Sequence, residues 1–193
     1  SIERSLKRMR TDYVDLVQLH SCGVDILERG EVIQALLDAK QAGKVRFIGY
    51  SGDNEAARWA IDSGHFDTLQ TSFNLLDQAP LEETLPKAEA AGMGIIIKRP
   101  IANAVWGSPE GTGRETYRAR AQVMQAQGPI PEVPADPIAL ALGFLLAHDE
   151  VDTAIVGTAN PDHMRENIEI VARDLPISSE AVEALHRRFE EAV

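Results

Sequence analysis

Five short apolar segments, each followed by polar residues and a helical pattern, constrain most strongly how this chain can fold. Each segment is too short for a helix and rich in branched side chains, which is typical of a buried parallel strand. Strands that alternate with single helices run parallel and are joined by right-handed crossovers. The segments are YVDLVQLH (13–20), VRFIGYS (45–51), FDTLQTSFN (66–74), GIIIKRP (94–100) and DTAIVGT (152–158). The sequence therefore predicts an α/β fold built from successive βα units.

The predicted helices between these strands carry their own start signals. Ser51 or Asp53 can cap the helix that follows the second strand, because their side-chain oxygens can accept from free N–H groups. Asp136 and Asn160 each precede a proline, the pairing typical of a capped helix start. Pro86 interrupts the segment LEETLPKAEAAG, so we expect it to kink that helix or to shift its first residue.

Composition and charge limit the classes of function. The chain has 193 residues, of which 44% are hydrophobic and 25% charged, so it can bury a core as a single domain over 1–193. A formal charge of -11 repels nucleic acid and anionic membranes, and we expect neither as a partner. The single cysteine, Cys22, forms no internal disulfide and no zinc cluster, which is typical of a cytoplasmic protein.

Residues 102–135 form the least regular stretch of the sequence. The stretch is rich in glycine and proline around one predicted helix, RETYRARAQVMQAQ. A long loop inside a compact domain is more often a functional flap than a disordered insertion. We therefore predict that residues 102–135 form a long irregular loop that acts as a functional flap.

Two folds fit a series of βα units: an open doubly wound sheet and a (β/α) barrel. Both place ligands at the carboxyl ends of the strands, so the functional surface can be predicted before the fold is decided. No GxGxxG fingerprint follows the first strand, which argues against the doubly wound dinucleotide fold. The predicted surface comprises His20, Ser51, Gln70, Asn74, Lys98, Arg99 and the turn after Gly157.

Cations at the end of the fourth strand indicate an anionic partner. Lys98 and Arg99 follow three isoleucines in an acidic protein, so either a ligand phosphate or a local carboxylate must balance them. Adjacent strand residues point to opposite faces, and we expect only one of the two to meet a ligand. The turn from Gly157 into a helix N-terminus also suits an anion, although capping alone explains it equally well.

One of the histidines is a candidate functional residue, and we interpret three others as structural. His20 ends the first strand, where it is either a general acid or hydrogen-bond donor to substrate, or a satisfied residue at the core edge. His65, His148 and His186 lie at helix ends or on helical surfaces, and we interpret them as structural. The sequence contains no evident carboxylate pair or serine triad, and we predict no metal site.

Four ordered motifs carry a resemblance to a known family. They are SLKRMRTDYVDLVQLH, GKVRFIGYSGD, Gln70 with Phe73-Asn74, and AIVGTANPDHMREN. In this order and spacing, they resemble the second half of an aldo-keto reductase over essentially the whole chain. The resemblance implies part of a (β/α)8 TIM-type barrel, and hydride transfer between NADP, or NAD, and a small-molecule carbonyl.

The resemblance also implies roles for residues at the first three strand ends. His20 matches the family's histidine that orients the substrate carbonyl, within a catalytic set of Asp, Tyr, Lys and His. Ser51 and Gln70 match positions that hold the nicotinamide carboxamide. Gly52 stands where the family usually has an asparagine, so one hydrogen-bonding side chain is absent there.

The loop after the fourth strand matches the family's cofactor-binding loop. Lys98 stands where an aromatic residue normally stacks on the nicotinamide, so a cation replaces that ring. Arg99, Ile101 and Asn103 match positions that pass over the pyrophosphate.

The last motif matches positions around the adenosine end of the cofactor. Thr158, Glu166 and Asn167 match residues that contact its phosphate and adenine. Gly157 and His163 replace a basic pair that many members use for the 2′-phosphate, which leaves the choice between NADP and NAD open.

In the family, the catalytic Asp, Tyr and Lys lie on the first three βα units, and this sequence opens on what resembles the end of the third. We expect about five parallel strands that are open or completed by self-association, or by pairing with an N-terminal half. We also expect the chain alone to be inactive or very weak. The alternative is a noncatalytic half-barrel that acts as a nucleotide-binding or interaction module.

Overall fold

The computed structural model describes residues 2–107, 115–173, 175 and 177–193. Its five parallel strands form one open sheet in the order β1-β2-β3-β4-β5. This order follows the chain without reversal, as in barrel-type winding, whereas a doubly wound sheet reverses at a switch point. The strands are β1 (Val14–His20), β2 (Val45–Ser51), β3 (Thr68–Ser72), β4 (Gly94–Lys98) and β5 (Thr153–Ile155). The predicted α/β fold with parallel strands is confirmed.

Nine α-helices lie in the described residues. They are α1 (Ile2–Met9), α2 (Val24–Glu28), α3 (Glu31–Gln41), α4 (Asn54–Ser63), α5 (Thr84–Ala90), α6 (Glu115–Ala126), α7 (Pro137–Leu146), α8 (Pro161–Ala172) and α9 (Ser179–Glu190). The short helix α2 is the one that the sequence did not predict. Pro86 shifts a helix start as expected: a 3₁₀ turn covers Ala79–Leu81, and α5 begins only at Thr84.

The chain divides into two compact units. Unit 1 comprises Ser1–Thr71 and Glu83–Ile96, and unit 2 comprises Ser72–Glu82 and Ile97–Val193. Strands β3 and β4 each begin in unit 1 and end in unit 2.

Unit 1 packs helices α3 and α4 against β2. The core of this unit includes Ile33 and Leu36 of α3 and Ile48 of β2, all at most 5% exposed. One ion pair fastens the packing: the Asp67 carboxylate accepts from Lys40 Nζ at 2.6 Å and from the Ile48 backbone N–H at 2.8 Å. The strand positions in this unit are therefore fixed by both apolar burial and a local charge.

The start of α4 corrects one expectation about capping. Asp53 occupies the N-cap position, but its side chain makes no capping hydrogen bond. Its carboxylate instead accepts from the Thr71 hydroxyl at 3.1 Å, because the neighbouring strand β3 places that hydroxyl within reach. Ser51 lies in β2 and does not cap the helix either.

Unit 2 is organised around the apolar helix α7. Phe144 of this helix is fully buried and packs on Phe73, with ring centroids 5.8 Å apart. The predicted caps are present, since the Asp136 carboxylate accepts from the Ala139 N–H at 2.8 Å and the Asn160 side chain accepts from the Asp162 N–H. These contacts fix the first turns of α7 and α8.

The predicted irregular stretch contains short 3₁₀ turns and one α-helix. The 3₁₀ turns lie within Ala102–Gly107 and are interrupted by a kink at Asn103 and Ala104, whereas α6 covers Glu115–Ala126 and confirms the helix predicted there. Arg188 of α9 donates to the carbonyl oxygens of Met124 and Gly128, so the end of α6 is fastened to α9. Residues 108–114 of the predicted flap lie outside the described residues. None of the helices that the structure describes is long and apolar enough to cross a membrane.

Candidate functional site

Three of the predicted site residues form one row across the carboxyl ends of β1, β2 and β3. His20 pairs in register with Ser51, and Ser51 pairs in register with Gln70. Residues paired in register in a parallel sheet have their side chains on the same face. The register of the strands therefore places the three residues side by side, as expected for strand ends on one edge of the sheet.

The His20 ring is oriented by its neighbour in this row. Its Nδ1 lies 3.3 Å from the hydroxyl of Ser51, a side chain that is only 1% exposed. His20 itself is exposed, so its Nε2 edge is open to a ligand. A histidine fixed through one ring nitrogen and open at the other can donate a hydrogen bond to a substrate oxygen.

The loop after His20 is fixed by Tyr50. The Tyr50 hydroxyl donates to the Cys22 carbonyl oxygen at 2.6 Å, and the Ser21 N–H donates to the Ser51 carbonyl at 2.8 Å. Burial raises the pKa of Tyr50, and the nearby Cys22 and Asp53 raise it further. The phenol is therefore a hydrogen-bond donor that holds the loop.

Unit 2 contains a cavity of about 500 Å³ at the end of β4 and the end of β5. Five of the predicted cofactor-binding residues line it, and the structure adds four neighbours that the sequence did not single out. The nine residues are Lys98, Arg99, Pro100, Ile101, Asn103, Ala104, Ile155, Val156 and Gly157. Two cations and one amide around an otherwise apolar cavity are suited to an anionic ligand with an apolar part.

The backbone at this cavity has an unusual conformation. Arg99 has φ of 58° and Asn103 has φ of 55°, values in the left-handed region that few residues other than glycine adopt. The Arg99 guanidinium donates to the hydroxyl of Ser72 at 2.7 Å, which holds the arginine despite its exposure. Such strained positions cluster at ligand sites, although strain alone does not identify one.

The remaining predicted residues of the last motif lie outside this cavity. The Thr158 hydroxyl accepts from the Asn160 N–H at 3.1 Å within the turn, while His163 and Glu166 are exposed on the first turns of α8. Asn167 lines a different, apolar groove between α7, β5 and α8. Of the cofactor-binding residues predicted in this motif, the structure therefore brings Gly157 alone together with Lys98 and Arg99.

A polar cluster beside the end of β3 was not predicted from the sequence. The Tyr117 hydroxyl donates to the Asp77 carboxylate at 3.0 Å, and the Asn74 amide lies 3.4 Å from the same hydroxyl. Burial is the main cause that raises the pKa of Tyr117, and Asp77 raises it further, against the hydrogen bond from Asn74 and the charge of Arg99. In the sequence, the polar residue Asn74 after β3 was the available sign of this cluster. The contact with Tyr117 could not be predicted, because the two residues are 43 positions apart in the chain.

Comparisons with known proteins identify the family to which the chain is similar. The sequence model described as "Aldo/keto reductase family" matches residues 1–187. The uncharacterized oxidoreductase YqkF of Bacillus subtilis is 26% identical over 100% of this chain and 66% of its own length. L-galactose dehydrogenase of Arabidopsis thaliana is 28% identical over 89% of this chain and 56% of its own length.

Solved structures are similar over most of the chain. The holo form of aldo-keto reductase AKR11C1 from Bacillus halodurans matches 97% of this chain with a TM-score of 0.81 and 26% sequence identity. The match covers 65% of that protein. The chain thus spans between 56% and 66% of the length of these relatives.

Proposed function

Because the chain belongs to the aldo/keto reductase family, we propose that it carries the cofactor-binding part of an NAD(P)H-dependent oxidoreductase that interconverts carbonyl compounds and alcohols. The proposal covers both cofactors, NADP and NAD. The comparison proteins support the class of reaction, since their names describe oxidoreductases and a dehydrogenase. The substrate proposed here is a small carbonyl compound.

The observation that carries the proposal is the cavity of unit 2. Five residues that the family resemblance assigns to the cofactor line this one cavity, although they come from two separate stretches of sequence, 98–103 and 157. Although the resemblance places Lys98 at the nicotinamide ring and only one of the two cations was expected to meet a ligand, Lys98 and Arg99 line the same cavity. Both supply charge opposite to that of a pyrophosphate, which is a compact dianion. The residues present therefore fit the phosphates of a dinucleotide.

We propose that the row formed by His20, Ser51 and Gln70 contacts the nicotinamide end of the cofactor and the carbonyl group of the substrate. Ser51 and Gln70 hold the carboxamide through their hydroxyl and amide groups, and His20 donates a hydrogen bond to the substrate carbonyl oxygen. When bound, the nicotinamide supplies the hydride for reduction. The His20–Ser51 contact orients the imidazole, so the donor is in place before negative charge develops on the oxygen.

Reduction of a carbonyl also requires a proton for the developing alkoxide. The Tyr50 and Tyr117 hydroxyls donate to Cys22 and to Asp77, and Tyr13 precedes β1, at the opposite end of the strand from His20. The first two hydroxyls are thus bound to other partners, and Tyr13 lies away from the strand end that carries His20. We therefore propose that this chain by itself binds cofactor but reduces carbonyl compounds slowly or not at all.

Cofactor binding and turnover can be measured separately. Titration of NADPH and of NADH, followed by the fluorescence of the reduced nicotinamide, should saturate with a stoichiometry of one. A reaction with a generic aldehyde should consume little cofactor over the same period. Absence of saturable binding would contradict the cofactor site, and rapid turnover would contradict the proposed lack of a proton donor. A noncatalytic nucleotide-binding module would also bind cofactor and turn over slowly. No specific observation favours that alternative function.

A further inference from the structure

A pair of histidines in unit 2 lies outside the candidate cofactor site. His148 follows the end of α7 and His186 lies in α9, and their Nε2 atoms are 3.3 Å apart. The ring planes are nearly perpendicular, at 85°, with centroids 5.3 Å apart. Phe73 and Phe144 pack on the His148 ring edge-on, with centroids 5.0 and 4.7 Å away. The aromatic contacts hold His148 in this orientation.

The other nitrogen of each ring faces an oxygen that can only accept. His148 Nδ1 lies 2.8 Å from the Phe144 carbonyl oxygen, and His186 Nδ1 lies 2.6 Å from Gln78 Oε1. The Gln78 amide is itself oriented, because its Nε2 donates to the carbonyls of Leu75 and Leu185. Both Nδ1 atoms must therefore carry the proton.

This assignment leaves both Nε2 atoms of the neutral rings without a proton. The two unprotonated nitrogens then lie 3.3 Å apart and their lone pairs repel each other. A cation shared by the two nitrogens removes this repulsion. Histidines that bind metals show the same arrangement, since the nitrogen away from the metal donates to a carbonyl or carboxylate oxygen.

We propose that His148 and His186 bind one divalent transition-metal ion between their Nε2 atoms. Two Zn–N bonds of about 2.0–2.1 Å at the tetrahedral angle place their nitrogens roughly 3.3–3.4 Å apart, which matches the observed separation. Imidazole nitrogen suits Zn²⁺, Ni²⁺, Co²⁺ and Cu²⁺ and excludes Mg²⁺ and Ca²⁺, which prefer oxygen.

Water completes the coordination. No group of three or more His, Cys, Asp or Glu that could hold a metal occurs among the described residues, so this part of the chain supplies the two histidines as ligands. Both rings are half-buried, which leaves one side open to solvent.

The bound ion would join two helices that pack in the core of unit 2. His148 lies just after the C-terminal end of α7, and His186 lies in the middle of α9. A ligand that binds the folded chain alone raises the midpoint of thermal unfolding. We therefore expect the ion to raise the midpoint of thermal unfolding, whether or not a dinucleotide is bound.

The test is a calorimetric titration of the whole chain with ZnCl₂ and with NiCl₂ at pH 7.5, without dinucleotide. The expected result is one saturable site and a higher unfolding midpoint in excess Zn²⁺. His148→Gln and His186→Gln should each weaken binding at least tenfold and remove the thermal shift. His65→Gln, at an exposed histidine of unit 1, is the matched control and should bind as the wild type does.

A second measurement does not depend on the variants folding. Nitrogen-15 spectra of the wild-type histidine rings should show the Nε2 signals of His148 and His186 shifting together on addition of Zn²⁺. Titration curves that are the same in the His148 and His186 variants as in the wild type would overturn the proposal. Nε2 signals that respond to pH but not to Zn²⁺ would also overturn it, because the pair would then share a proton only.

Discussion

The ring of Tyr50 occupies the space directly in front of Gly52. A Cβ atom built on this glycine would lie 2.5 Å from the Tyr50 hydroxyl oxygen and 2.6 Å from its ring. The same hydroxyl holds the loop after β1 through the Cys22 carbonyl. Gly52 therefore stands in place of the family's asparagine because a larger residue would displace the side chain that fixes the His20 loop.

A side chain at position 52 should destabilise the fold. Gly52→Ala forces Tyr50 to move, and overpacking of this kind costs about 1–3 kcal/mol of unfolding free energy. Urea unfolding measures the loss. The control is Gly94→Ala, whose added Cβ would meet Thr68 at an ordinary 3.5 Å. Equal stability of the Gly52 variant and the wild type would show that the Tyr50 ring is not fixed.

Buried phenols should make the protein sensitive to alkali. The pKa of Tyr50 lies above its usual value of 10.0, mainly because burial disfavours the phenolate. The folded chain retains this proton where the unfolded chain has lost it. Stability is therefore complete below about pH 10 and decreases as the pH rises above it.

The variant Tyr50→Phe tests whether ionisation of Tyr50 causes the decrease in stability above pH 10. Denaturant unfolding from pH 8 to 11 should show a shallower decrease in stability for this variant, which has no phenol to ionise. Tyr13→Phe, at a side chain that is 48% exposed, should keep the wild-type decrease. The same slope in Tyr50→Phe as in the wild type would rule out Tyr50 as the cause.

Ser51→Ala should weaken the binding of intact cofactor selectively. Loss of one hydrogen bond of about 0.5–1.5 kcal/mol lowers NADPH affinity about 2–10-fold. ADP-ribose lacks the carboxamide, so its affinity should not change. Ser63→Ala is the control, because the Ser63 hydroxyl donates within α4 to the Ala60 carbonyl. A parallel loss for both ligands would show that Ser51 does not contact the nicotinamide end.

The sequence predicted most of the fold because strands and caps are local features. The bounds of β2 were predicted correctly as 45–51, and Asp136 caps α7 as expected. The five-residue helix α2 was missed because it is too short to show a helical period. Contacts between distant segments could not be predicted in this way. Tyr50 over Gly52 depends on a side-chain orientation, and the His148–His186 pair joins residues 38 positions apart.

Self-association is a further prediction. Among the described residues, β1 is paired in register only with β2, and the apolar side chains of Ile168 and Val171 on α8 are 61% and 47% exposed. Open strand edges and apolar patches favour association. Size-exclusion chromatography with light scattering should give a dimer or larger species, and Ile168→Asp should shift it towards the monomer. A compact wild-type monomer would contradict this prediction.

The central claim is that the cavity of unit 2 binds the phosphates of a dinucleotide. The most direct measurement is a calorimetric titration of NADPH into the wild type, into Lys98→Gln and into the control Lys7→Gln, at an exposed lysine of α1. A charged hydrogen bond contributes about 1.5–3 kcal/mol, so Lys98→Gln should weaken binding about tenfold or more. The Lys7 variant should bind like the wild type. Equal affinity in all three proteins would contradict the claim.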